Sequence, residues 1–274
     1  IVMPPISALL IEAFGLETAF FLQGAMIACI AAPAVLLMKP KTYQKQAITE
    51  PPQAVKEPTD GYDASAVFHS STYWVIFLGY LLAALGQTAV MVHLPSYAIE
   101  KGISLTLVSA AIGLTGVGTI FGRVIPAGPF ARIDEQKLLS YVLLLQAISV
   151  GFLIKIDSVP MLYAFSLIWG VLWGARVFAA PLLLSSYFGL LAFGAAYGVL
   201  HASFAVGGLF GPTVVGYVHD ATGSYFFGFL FTSMVLFVGS LVMFLVARTR
   251  AGEVVSARMK PSYQLNIFPQ TTPK

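Results

Sequence analysis

Residues 177–219 read VFAAPLLLSSYFGLLAFGAAYGVLHASFAVGGLFGPTVVGYVH, without a single Lys, Arg, Asp or Glu. About 20 apolar residues cross a bilayer core, so this stretch is more than long enough to cross. Uncharged stretches also occupy 18–38, 102–122, 138–154 and 221–247. Working outward from them gives seven spans, at 18–38, 73–98, 104–127, 138–156, 159–184, 192–217 and 225–247. The short breaks carry turn chemistry: Glu100-Lys101-Gly102, Asp157-Ser158 before Pro160, and Asp220-Ala221-Thr222-Gly223. No run this long shows a sustained period-two alternation, so membrane strands are excluded. The expectation is an all-α, multi-pass integral membrane protein.

Composition agrees. Of 274 residues, 58% are hydrophobic and 10% charged, with a mean hydropathy of +0.84. A soluble domain carries about 25% charged residues. Cytosolic enzymes, nucleic-acid binders and disordered chains are therefore excluded. Cys29 is the one cysteine, so neither a disulfide framework nor a cysteine metal site is available. His69, His93, His201 and His219 have no metal-ligand spacing, and no phosphate loop, metalloprotease helix or nucleophile elbow occurs. Neither catalysis nor a cofactor or metal is expected. Ile1 opens an apolar run over 1–11, which reads as the end of a helix already under way.

Orientation follows from the basic residues between spans. Lys39, Lys41, Lys45, Lys56, Arg132, Lys137, Arg248, Arg250, Arg258, Lys260 and Lys274 fall on one side; Lys101 and Lys155 fall on the other. The richer side is cytoplasmic, which puts the C-terminus there. Segment 39–72 has Pro40, Pro51, Pro52 and Pro58 with mixed charge, and reads as a flexible cytoplasmic linker. Residues 248–274 form a basic cytoplasmic tail. The six spans after the linker fall into two triplets, and the second member of each is glycine-rich: Gly113, Gly116, Gly118 and Gly122, then Gly207, Gly208, Gly211 and Gly216. Matched peculiarities of this kind point to an internal repeat, as in secondary transporters.

These residues resemble a known family. A six-helix bundle behind a long cytoplasmic linker is similar to the second half of a major facilitator superfamily carrier, and within it to the monocarboxylate porter group. Pro4-Pro5 with Leu10-Ile11-Glu12-Ala13-Phe14-Gly15 resembles the end of that group's fifth helix and the loop after it. His93-Leu94-Pro95-Ser96-Tyr97-Ala98 before Gly102-Ile103-Ser104 resembles the end of the seventh, and Gly122-Arg123-Val124-Ile125-Pro126 the eighth. Gly211-Pro212 and Gly216, followed by Asp220-Ala221-Thr222-Gly223-Ser224-Tyr225, resembles the end of the eleventh. Two departures stand out. The group's Gly, then Asp-Arg four positions on, is replaced by Ala127, Ala131 and Arg132; Thr119 stands where such porters often carry an acid one turn before the arginine.

The resemblance implies helices six to twelve, with the N-terminal bundle mostly absent. Residues 1–17 would be a truncated helix end and outer loop, 18–38 an orphan helix of that bundle, and 73–247 the six-helix transport bundle. It further implies a plasma-membrane location and a missing N-terminal half supplied in cis or in trans.

An ionisable residue in the hydrocarbon costs about 2.5–3.5 kcal/mol on insertion scales, so each needs a reason. Arg176 lies about 6 Å past the midpoint of its span at 1.5 Å per residue. Trp169, Trp173, Arg176, Ala180 and Tyr187 share one helical face. That face reads either as a cavity wall, with the guanidinium on a carboxylate and aromatics over the substrate body, or as a structural arginine on backbone carbonyls. Arg123 lies nearer the cytoplasm, either snorkelling to the interface or, by the resemblance, matching the substrate-binding arginine of carboxylate porters. His93 either exchanges a proton with the outer medium or is a hydrogen-bonded interfacial histidine. His201 shares a face with Gly194, Tyr197, Ala205 and Gly208; by the resemblance it is a candidate second anion or proton ligand, and otherwise a packed histidine bonded to Tyr197 or a carbonyl.

The glycines read first as helix-packing residues, with Gly170, Gly174 and Gly211-Pro212 as possible bending points. Asp220 reads as a turn or cap residue. The leading expectation is a secondary carrier working by alternating access on a small organic anion with proton coupling, with the bilayer and protons as its other partners. The alternatives are a carrier of a neutral or vitamin-like solute and a truncated, non-transporting membrane protein.

Overall fold

The computed structural model describes residues 3–37, 61–127 and 134–246. They form eight helices: α1 (Met3–Leu37), α2 (Ala64–His69), α3 (Ser71–Glu100), α4 (Leu105–Ala127), α5 (Glu135–Leu153), α6 (Val159–Phe188), α7 (Phe193–Thr222) and α8 (Tyr225–Val246). The only other pairing among the described residues is an isolated bridge between Gly61 and Gly189. Seven helices are long and apolar enough to cross a membrane, and six of them match the predicted spans to within a few residues. Their ends follow local chemistry. Asp134 caps α5 by accepting from the backbone N–H of Gln136 at 3.0 Å, Pro160 sits in the first turn of α6, and Gly223 ends α7 in the left-handed region.

The two triplets pack as a repeat. α4 lies on α6 as α7 lies on α3, α5 lies on α6 as α8 lies on α3, and α5 meets α8 at the centre. Exchanging α3–α5 with α6–α8 maps this pattern onto itself, as nested three-helix repeats require.

Glycine sets the two closest crossings. A Cβ on Gly118 or Gly122 would overlap the carbonyls of Leu167 or Val171, and one on Gly170 or Gly174 those of Thr115 or Thr119. Across α3 and α7, Gly207 abuts Ala84 and Gly211 abuts Leu85, while the Thr88 hydroxyl lies 2.7 Å from Gly207 O and 2.8 Å from Ala84 O. In lipid no hydrophobic force drives helices together, so close backbone approach supplies the attraction. Gly170 and Gly174 therefore stand as packing residues inside an unbroken α6.

Buried polar contacts fix the remaining registers. Gln136 Nε2 donates to Met243 O at 2.9 Å, Ser240 to Ser140 O at 2.8 Å, Ser233 to Ala147 O at 2.8 Å, and Tyr97 to Ile154 O at 2.9 Å.

Two expectations change. The linker was expected to run to residue 72, yet from Gly61 on it is built into the bundle. Tyr62 N donates to Phe188 O at 2.9 Å, Asp63 caps α2 at Ala66 N at 3.0 Å, Val67 is buried, and Phe68 packs edge-on against Tyr73. The reason is a capped, one-sided apolar turn (Asp63, Val67, Phe68) that the proline and charge content of its flank conceals. The boundary placed at residues 17–18 is also not a loop. Helix runs from Met3 to Leu37, interrupted at Gly15 with φ 77° and ψ 169°, a conformation that glycine alone adopts at low cost. α1 packs on α4. Linker residues 39–60, Ala131, Arg132 and the tail with Arg248, Arg250, Arg258 and Lys260 lie outside the described residues.

Candidate functional site

Arg176 is the centre of the site. Gly174 faces α4; two residues on, about 200° round the helix, Arg176 faces the opposite way, toward α3 and α7. Its guanidinium carbon sits 5.3 Å from the Tyr80 ring of α3 and 5.6 Å from the Phe204 ring of α7. The side chain is 0% exposed, and none of Nε, Nη1 and Nη2 meets a hydrogen-bond partner among the described residues. The structural alternative, an arginine held by backbone carbonyls, is therefore not what the bundle contains. Two cation–π contacts offset about 0.5–2 kcal/mol each, against a burial cost of several kcal/mol for the ion. Five N–H donors in a planar fork are left over, which is the complement of a carboxylate.

The predicted aromatic stripe spreads along α6, and the rings on the guanidinium are Tyr80 and Phe204 instead. Trp169, 0% exposed, stacks on Phe165 with centroids 5.7 Å apart, and its indole N–H is unpartnered. Trp173 is half-buried on the same helix. Tyr187 stands three turns on, about 16 Å along the axis, where its hydroxyl donates to Gln136 Oε1 at 2.7 Å. Tyr187 thus joins the start of α5 to the end of α6, and the structure does not bring it to Arg176.

Arg123 follows Gly122 by one residue. Since Gly122 faces α6, Arg123 is turned about 100° away and is exposed, with no partner among the described residues. His93 is half-buried, and its Nε2 lies 2.9 Å from Pro212 O. A carbonyl only accepts, so Nε2 carries the hydrogen and Nδ1 is the basic nitrogen. His201 is exposed, with its ring stacked between Tyr197 at 5.7 Å and Phe204 at 5.8 Å, so it touches the ring that covers Arg176.

Where α7 ends beside α3, His219 Nε2 lies 3.0 Å from Glu100 and Nδ1 3.6 Å from Asp220, with Tyr225 stacked at 4.1 Å. Asp220 is within α7, and the cap position is taken by Gly223. No group of histidines and acids suited to a metal ion occurs among the described residues.

Tyr80 and Phe204 are the residues that the sequence reading missed. Each lies on another helix, and only the rotation of α3 and α7 against α6 brings them onto the guanidinium. The spacing Phe193, Tyr197, His201, Phe204 on one helical face was the available signal.

A fold of apolar helices in two packed triplets, with one fully buried cation among the described residues, defines a membrane-carrier bundle. The profile of the Major Facilitator Superfamily matches residues 1–190, and the chain belongs to that family. Monocarboxylate transporter 12 of Rattus norvegicus is 27% identical over 181 residues, covering 63% of this chain and 36% of that protein. The MFS-type transporter pynF of Aspergillus niger is 27% identical over 208 residues, covering 72% and 46%. The agnestins efflux protein of Paecilomyces divaricatus is 26% identical over 204 residues, covering 74% and 46%. The chain thus spans between about a third and a half of the length of these relatives.

Proposed function

We propose that this chain supplies the substrate-holding C-terminal bundle of a secondary carrier that moves a small organic anion by alternating access, coupled to protons. The observation that carries the reading is Arg176, a fully buried guanidinium whose nitrogens have no hydrogen-bond partner among the described residues. Empty, the cation lies under Tyr80 and Phe204. Loaded, a carboxylate displaces the Phe204 ring and takes two N–H donors side by side, which removes the net charge from the interior. The likeness to monocarboxylate transporter 12 supports the same substrate class. Trp173 stands on the same helix as a further wall for the substrate body.

Proton coupling falls to His201 and His93. His201 contacts the ring covering Arg176, so an imidazolium there adds a second positive charge beside the anion. His93, held to Pro212 O on α7, is the second candidate to carry the proton. Arg123, near the cytoplasmic end of α4, stands where an anion leaves or enters the inner mouth. Alternating access needs a second bundle rocking against this one, in cis or in trans. The plasma membrane and a cytoplasmic C-terminus complete the reading.

The test is uptake of labelled lactate and benzoate, with acid outside, by cells expressing the chain together with the second bundle that completes the carrier. The wild type accumulates label above vector background, Arg176→Gln does not, and His201→Gln loses the response to pH. Undiminished carboxylate uptake by Arg176→Gln would sink the assignment. Uptake indifferent to pH and to carboxylate competitors would mean a neutral or vitamin-like solute instead.

A further inference from the structure

The face of α7 beside Arg176 carries more than one ring. Phe193, Tyr197, His201 and Phe204 stack in succession, with centroids 5.4, 5.7 and 5.8 Å apart and interplanar angles of 7°, 22° and 18°. The column runs about 16 Å along the helix at 1.5 Å per residue and ends on the guanidinium. Beside it, a Cβ on Gly194, Gly198 or Gly208 would meet nothing within 4 Å, whereas one on Gly207 or Gly211 would strike α3. α7 thus uses glycine in two ways: one row to pack, and one row that leaves an open, flat-floored trough along the ring column.

Of the exposed apolar side chains of α7, Val199, Val206, Phe210 and Tyr217 project from the side opposite the ring column at 100° per residue, and Leu209 borders the glycine row. An imidazole in the hydrocarbon would be costly, and His201 lies on the ring side. A glycine floor, a wall of near-parallel rings and a buried, unpaired cation at one end suit one kind of ligand.

We infer that the trough selects planar, conjugated carboxylates, with the carboxylate on Arg176 and the aryl body along the column from Phe204 toward Tyr197. This rests on the anion reading of Arg176 and adds a requirement for ring planarity. Aliphatic anions of equal size gain only burial, whereas an aryl body gains ring contacts that amount to about two- to tenfold in affinity each.

The test is calorimetric titration of the chain in lipid nanodiscs with benzoate and with cyclohexanecarboxylate, its saturated counterpart. Wild type is expected to prefer benzoate by at least about two- to tenfold and 2-naphthoate by more. Tyr197→Leu with His201→Leu should bring the ratio to one. Gly208→Leu, whose side chain enters open space and leaves the helix packing intact, should weaken benzoate. Arg176→Gln should weaken both ligands by tenfold or more. Arg176-dependent binding with a ratio of one in the wild type overturns the trough while leaving the anion site standing. A preference that survives the Tyr197/His201 pair of substitutions also overturns it. Failure of both carboxylates to bind the wild type overturns both readings.

Discussion

Arg176 and Arg123 are the two arginines that the spans leave without a loop, and they end in opposite circumstances. Each is placed by a glycine crossing between α4 and α6. Gly174 turns Arg176 away from α4 into the space between α3 and α7, where Tyr80 and Phe204 close over it. Gly122 engages α6 and leaves Arg123 on the open flank of α4. The crossing therefore decides which guanidinium is desolvated. Depth in the membrane acts in the same direction, because a long stem near a helix end reaches the interface while one near the middle cannot.

The sharpest way to break this contrast is to break the crossing. Gly122→Leu drives a side chain into the Val171 carbonyl, and its cost is expected to exceed about 3 kcal/mol, seen as loss of a monodisperse peak in size-exclusion chromatography. Gly208→Ala, on the open row, should leave the elution profile and thermal midpoint intact.

Removing the buried charge comes next. Arg176→Met should raise the stability of the unliganded bundle by about 1–4 kcal/mol, because an unpaired ion is replaced by an apolar chain of similar volume. A lower thermal midpoint for this variant would show that the guanidinium is already compensated. Tyr187→Phe should cost about 1 kcal/mol through its lost bond to Gln136, with anion affinity unchanged. Smallest of all, Arg123→Ala should shift stability by no more than about 0.5 kcal/mol. Lost uptake in Arg123→Ala at full stability would move the substrate contact to α4 and reverse the contrast.

Much of this was legible in the sequence because helices in lipid obey few rules. The uncharged runs mark seven spans, six of which the helices match to within a few residues, and Asp134, Pro160 and Gly223 set three of the helix ends. Arg176 was visible as the deepest cation, and the glycine rows as packing surfaces. The rotation of one helix against another was not visible. Tyr80 and Phe204 belong to the site only because the Gly207 and Gly211 rows seat α7 on α3, and nothing local to either residue announces that. The same blindness grouped Tyr187 with Arg176: they share a helical face but not a depth. The last part of the linker was misjudged because a two-residue apolar turn has no periodicity to read, and its order comes from Phe188 and Gly189 at the far end of α6.

The central claim is that Arg176 is an anion site waiting for its counter-charge. The direct measurement is the thermal unfolding midpoint of the chain in lipid nanodiscs against rising benzoate. At a hundredfold excess over the dissociation constant a ligand adds about 2.7 kcal/mol to stability. The account predicts a saturable rise in the midpoint for the wild type and none for Arg176→Gln. Equal shifts in both proteins would contradict it.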